Sequence, residues 1–166
     1  MKTKRFVYLT LLCAMAITLN ILESILIGPI AFNLRIGLAN IIALITLYIL
    51  GTKDMIIVNI MRVVIGNLLR GLIFGTTFWI SLGGVFLSTI VLIICKKLNS
   101  SLIFTSILSS IAHSAGQVIV VIFIYQQAGM AITLPYLLIF SIPTGIITGI
   151  VAKAALKRVH ANLKIR

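Results

Sequence analysis

Six apolar runs take up most of this chain, at about residues 6–27, 36–50, 55–69, 76–95, 101–125 and 134–152. Short joints carrying Lys, Arg, Gly or Pro separate them. A run of about 20 apolar residues is what a helix needs to cross the hydrocarbon of a bilayer. Composition agrees with that environment. Hydrophobic residues make up 61% of the chain and charged residues 10%, with a mean hydropathy of +1.25. A soluble domain carries about 25% charged residues, so this chain has too few charges to cover a surface facing water. The same hydrophobicity excludes intrinsic disorder. The expected fold is an all-α polytopic membrane protein, a bundle of about six transmembrane helices forming one domain over 1–166. No linker or shift of composition divides it.

The joints say where helices stop. Gly28-Pro29 ends the first run, Gly51-Thr52-Lys53-Asp54 the second and Lys96-Lys97 the fourth. Pro135 fits the start of the sixth, where a missing backbone donor costs nothing. The second and third runs are short, about 15 residues or about 22 Å of helix. They start earlier, tilt, or are shielded by neighbours. Met1-Lys2-Thr3-Lys4-Arg5 looks like the n-region of a signal peptide, and Ala14-Met15-Ala16 mimics a cleavage site. The apolar run before that triplet is too short, however, and the run after it continues to a full span. The segment reads as the first transmembrane helix.

The chain holds 14 Lys+Arg against 2 Asp+Glu, a formal net charge of +12. Such a balance suits nucleic acid only when the charge forms a solvated patch. Here it lies in small groups between apolar runs, so no nucleic-acid partner is expected. With six spans, both termini share one side. If that side is the cytoplasm, it holds Lys2, Lys4, Arg5, Lys53, Lys96, Lys97, Lys153, Lys157, Arg158, Lys164 and Arg166. That is 11 of the 14 basic residues, as the positive-inside rule requires of a multi-pass cytoplasmic-membrane protein. Arg35, Arg62 and Arg70 are left on the outer side or within the membrane.

An ionisable residue at membrane depth is costly and normally faces protein or a cavity. Helical spacing supports this. Asn59, Arg62, Gly66 and Arg70 follow steps of 3, 4 and 4 and make one polar stripe on the third helix. Ser106, Ser110, His113 and Gln117 follow steps of 4, 3 and 4 and make another on the fifth. Ala16, Asn20 and Glu23 share a face of the first, and Gly37 and Asn40 lie on the second. These stripes predict a pocket open to the outside, cationic at its mouth through Arg35 and Arg70, with amide and imidazole groups deeper in. Arg presents a planar donor fork suited to a carboxylate or phosphate, so the expected partner is a small anionic molecule. Plainer readings stand beside this one. Arg62 pairs with Glu23, leaving both inert. Arg35 and Arg70 snorkel to the phosphates of membrane lipid. His113 is a satisfied buried donor, and Asn20, Asn40, Asn59 and Asn67 bond helix to helix.

Small residues mark close approach of helices. Ser141, Gly145 and Gly149 form one ladder, Ser81, Gly84 and Ser88 a second, and Thr10, Ala14 and Thr18 a third. Each serves internal packing or an external partner helix.

Several chemistries have no residues to carry them. There is no Gly-x-x-x-x-Gly-Lys-Ser/Thr loop for ATP and no Gly-x-Ser-x-Gly elbow. Asp54 and Glu23 are the two acids of the whole sequence, so paired carboxylates for magnesium or acid–base work are missing. Cys13, Cys95, His113 and His160 do not make a zinc spacing, and the cysteines read as small core residues. A self-sufficient enzyme is not expected, nor is a cofactor. A stand-alone secondary carrier would have Glu23 and His113 alone for a proton relay, and no inverted repeat is evident.

Longer stretches of the sequence carry a family likeness. Leu22-Glu23-Ser24, Arg35-Ile36-Gly37-Leu38-Ala39-Asn40, Met61-Arg62-Val63-Val64-Ile65-Gly66, Ser81-Leu82-Gly83-Gly84 and Ala112-His113-Ser114-Ala115-Gly116-Gln117 form a combined pattern. It resembles the heptaprenyl diphosphate synthase component I family, also called Gx transporters, over about residues 5–158. Two positions depart from the family pattern. Arg35 stands where Lys is expected, which keeps the charge, and Ser114-Ala115 replaces Asn-Leu, which alters a possible ligand contact.

That family is similar to the substrate-binding S components of energy-coupling factor (ECF) transporters. The resemblance implies a six-helix bundle capturing a vitamin-like molecule, or an isoprenoid or quinone precursor, at the outer face. It implies a transmembrane coupling subunit and separate ATPase subunits as partners, docked on small residues of the first helix: Thr10, Ala14 and Thr18, or Ala16. Arg62 and Arg35 are then expected at the ligand's anionic end, oriented by Asn40, His113 and Gln117, with Glu23, Asn59 and Arg70 in the same lining. The family's synthase label points to an alternative, a non-catalytic membrane subunit associated with prenyl diphosphate synthesis.

Overall fold

A computed structural model describes residues 2–26, 39–126 and 128–162. They form six α-helices: α1 (Lys2–Leu26), α2 (Asn40–Ile49), α3 (Thr52–Leu69), α4 (Thr76–Lys97), α5 (Leu102–Tyr125) and α6 (Thr133–Asn162). A short 3-10 helix, Ala128–Ile132, precedes α6. No strand occurs among the described residues. Four of the helices, α1, α4, α5 and α6, are long and apolar enough to cross a membrane. The outer surface is apolar, with Phe6, Leu11, Phe86, Phe123, Phe140 and Ile147 exposed, while Asn20, Glu23, Asn40, Arg62, His113 and Gln117 are buried. That inversion of the soluble pattern is what a bilayer solvent demands. The chain is a helical membrane protein.

The two short helices solve their length problem by shielding. α2 is 10 residues, about 15 Å of helix, and most of it is buried. Its Ile42, Ala43, Leu44, Ile45 and Leu47 form the main core with Ala16 of α1, Met55 and Val58 of α3, Leu92 of α4, and Ala152 and Leu156 of α6. α3 buries Met55, Val58, Asn59, Arg62, Val63, Gly66 and Asn67, so Asn59, Arg62 and Gly66 of the stripe read from spacing face inward. It begins three residues before the apolar run. Gly51, at φ +101°, turns the chain into the helix, and Asp54 places a negative charge in its first turn.

Other boundaries move for similar reasons. α6 runs ten residues past the apolar segment, so Lys153, Lys157 and Arg158 lie on a helix rather than in a loose tail. Hydropathy ends at residue 152, but the strong helix formers Ala154, Ala155, Leu156, Lys157 and Arg158 follow without Gly or Pro to stop them. α5 is started by Ser101, whose side chain accepts from the Phe104 N–H at 3.3 Å. It ends at Gln126, which is left-handed at φ 51°.

α5 is the central element of the second half, packed on α4 and α6. Glycine permits the approach. A Cβ on Gly116 would collide with the Gly83 carbonyl, and one on Gly145 would sit 2.7 Å from Ile107 Cα. Hydroxyls tie α5 to α6: Ser106 meets Thr148 at 2.8 Å, and Ser114 bonds Ser141. The ladders of α4 and α6 therefore serve internal packing. The ladder of α1 does not. Thr10, Ala14 and Thr18 are exposed, and both threonine hydroxyls are satisfied within the helix, on Phe6 O at 3.0 Å and Ala14 O at 2.9 Å.

At one end of the bundle, Arg5 donates to Asp54 Oδ2 from Nη2 at 2.6 Å and Nε at 2.9 Å, joining the starts of α1 and α3. Lys96 donates to the Leu47 carbonyl at 2.6 Å and lies 4.7 Å from the Tyr48 ring, joining the ends of α4 and α2. Its charge meets the negative end of α2.

Candidate functional site

Between the core around α2 and a smaller cluster of Val63, Phe78 and Val85 lies a cleft that gathers the buried charges. α1 contributes Asn20 and Glu23, and α3 contributes Arg62 and Val63. Ala39, Val85 of α4 and His113 of α5 complete the lining. The space is about 10 Å³, room for roughly one water.

Hydrogen bonds fix several of the polar groups. Arg62 donates from Nη2 to Asn40 Oδ1 at 2.7 Å, which ties α3 to the start of α2. Asn20 donates from Nδ2 to the Arg62 carbonyl at 2.7 Å, tying α1 to α3. Gly66 makes that bond possible, because a Cβ there would lie 2.8 Å from Asn20 Nδ2. His113 Nε2 and Gln117 Nε2 are 3.1 Å apart. They stand against Gly84, where a Cβ would reach Gln117 Cγ at 2.8 Å and His113 Cε1 at 3.0 Å. Glu23 and Arg62 are each 2% exposed. Ions so buried are tolerated only with compensating charge and hydrogen bonds. Among the described residues, Asn40 Nδ2 has no hydrogen-bond partner, so a second donor stands beside the guanidinium.

The structure thus brings together Glu23, Asn40, Arg62, His113 and Gln117. Two other residues expected in the lining, Asn59 and Arg70, do not join them. Asn59 turns to α4, donating to Thr89 Oγ1 at 2.8 Å and approaching Met55 Sδ at 3.2 Å. Arg70 is half-buried at the end of α3, two turns beyond Arg62. Arg35 lies outside the described residues. On α1, Ala16 is fully buried in the main core, so it has no face for a partner helix; Thr10, Ala14 and Thr18 do.

Spacing had placed Asn20 on the same face as Glu23 without assigning it to the site, and its bond to the Arg62 backbone supports the cleft directly. Thr89, the partner of Asn59, gave no signal, because a contact between helices leaves no periodicity in either one. Among the described residues, no group of three His, Cys, Asp or Glu side chains could hold a metal ion. A larger groove of about 610 Å³ between α4 and α5 is lined by Trp79, Phe86, Phe123 and other apolar residues. Its lining is almost entirely apolar, unlike a site built to orient a ligand with several polar groups. The cleft holds one guanidinium fork, one carboxylate, and amide and imidazole groups.

No curated protein and no solved structure matches the chain. The family model described as heptaprenyl diphosphate synthase component I matches residues 12–155. With most of its length matched, the chain belongs to the heptaprenyl diphosphate synthase component I family.

Proposed function

We propose that this protein is a membrane-embedded substrate-binding subunit, similar to the S components of ECF uptake transporters. It crosses the membrane six times with both termini in the cytoplasm and captures a small anionic molecule from the outer side. The observation that carries this reading is the cleft: a buried Arg62 with Asn20, Glu23, Asn40 and His113 around it, in a protein that exposes many large apolar side chains. An intramembrane arginine held by such a network is a binding element by default. The exposed ridge of Thr10, Ala14 and Thr18 supports a partner helix on α1. The sequence has no ATP-binding loop, which fits energy supplied by separate subunits. An isoprenoid or quinone precursor is the ligand class favoured by the family's description.

The test is native mass spectrometry of the freshly purified protein, with a pull-down from the native membrane. A retained anionic molecule is expected, and Arg62→Gln weakens its binding by about 2–5 kcal/mol, the loss typical of one partner in a buried charge pair. Unchanged retention in Arg62→Gln removes the cleft from consideration. A second reading also draws on the family's description: a non-catalytic membrane component of a prenyl diphosphate synthase. Co-purification of a soluble synthase, with no ATPase in the pull-down, favours it.

A further inference from the structure

Arg62 is buried in a cleft whose lining is otherwise amide, imidazole and apolar, apart from Glu23. An isolated buried cation is costly, and the cost falls only where an anion shares its surroundings. The chain has two carboxylates in all. Asp54 holds Arg5 at the start of α3, eight residues from Arg62 along the helix. Glu23 stands in the cleft itself. We infer that Glu23 is the resident anion of this site. Its carboxylate balances Arg62, and an incoming ligand anion must displace it.

The inference rests on the reading of the cleft as a ligand site and adds a rule of selectivity to it. Space of about 10 Å³ does not admit a ligand oxyanion beside Glu23 without widening the cleft. Two negative groups on one desolvated guanidinium also repel. Glu23 competes as a tethered group, with the high effective concentration that tethering confers. An anion that engages Arg62 through one carboxylate loses that competition. A ligand offering two or more anionic groups, such as a diphosphate ester, can engage both Arg62 and the Asn40 amide, which has no hydrogen-bond partner among the described residues. The substrate class is therefore a polyanionic head group rather than a simple monocarboxylate.

Glu23 is the single glutamate of the sequence, so protein made with δ-carboxyl-labelled ¹³C-glutamate gives one carboxyl resonance. The full chain in nanodiscs is titrated with inorganic pyrophosphate and, separately, with acetate. Pyrophosphate is expected to shift the Glu23 resonance saturably, and acetate to leave it in place. By calorimetry, Glu23→Gln is expected to bind pyrophosphate at least about tenfold tighter and to gain binding of acetate. Pyrophosphate binding that leaves the resonance unmoved overturns the inference, as does a folded Glu23→Gln protein that binds no tighter. Should that variant not fold, the resonance of the unaltered chain decides alone. Arg62→Gln separates this inference from the reading beneath it. Loss of pyrophosphate binding in Arg62→Gln, with a static Glu23 resonance in the unaltered chain, keeps the site and rejects displacement. Equal binding by Arg62→Gln and the unaltered chain rejects the site.

Discussion

Asn20 of α1 donates its side-chain amide to the backbone carbonyl of Arg62 on α3, at 2.7 Å. The bond sets the height of α1 against α3, and so the height of Glu23 relative to the guanidinium. It passes over Gly66, where a Cβ would lie 2.8 Å from Asn20 Nδ2. Gly66→Val is expected to push Asn20 off its acceptor and to cost about 1–3 kcal/mol, as overpacking does. Asn20→Ala loses only the bond, about 0.6 kcal/mol on average for hydrogen bonds between membrane helices. Thermal unfolding in detergent should rank Gly66→Val well below Asn20→Ala. Equal midpoints would mean that α1 and α3 part easily at this point.

Asn59 and Arg62 lie on one stripe of α3 but have different jobs. Asn59 bonds Thr89 on α4, and Arg62 bonds Asn40 at the start of α2. Asn59→Leu is expected to lower stability by about 0.6–1.7 kcal/mol and to leave ligand retention intact. Arg62→Gln is expected to abolish retention. Native mass spectrometry of the two variants side by side checks this, and loss of the ligand from a folded Asn59→Leu protein would return Asn59 to the site.

The contact of α4 with α5 is close enough to be read by single methyl groups. A Cβ on Gly116 would collide with the Gly83 backbone, whereas one on Gly129 would meet nothing within 4 Å. Gly116→Ala is expected to be strongly destabilising, at the upper end of the roughly 1–3 kcal/mol typical of overpacking, because the obstacle is backbone and cannot rotate away. Gly129→Ala should be nearly silent. Denaturant midpoints in a fixed detergent measure the contrast.

The inward stripes of α3 and α5 were legible because a helix repeats every 3.6 residues and a charge in lipid must be hidden. Arg62, Glu23 and His113 followed from that alone. Pairing was not legible. Nothing in the spacing of Asn59 distinguishes a ligand contact from a bond to Thr89, since the partner lies on another helix at an unrelated register. Helix ends at the water boundary were also obscured, as hydropathy falls at residue 152 while α6 continues to Asn162. The small-residue ladders show the same limit. Gly84 and Gly145 face neighbours inside the chain, Ala14 faces out, and their sequence patterns are alike.

Ala14 and Ala16 are two residues apart on α1 and point in different directions. Ala14 is exposed between the self-satisfied hydroxyls of Thr10 and Thr18, while Ala16 is 0% exposed within the main core. Ala16→Leu is expected to overpack that core and cost about 1–3 kcal/mol. Ala14→Trp has lipid in front of it and should leave the thermal midpoint and the Arg62-dependent ligand binding unchanged. If α1 is the docking helix for a transmembrane coupling subunit, the bulky ring holds the two backbones apart, because such contacts depend on small residues at the crossing. Co-purification of that subunit should then be lost in Ala14→Trp alone. An Ala14→Trp protein that still carries the subunit through purification would remove the α1 ridge from the interface, even with the cleft left intact.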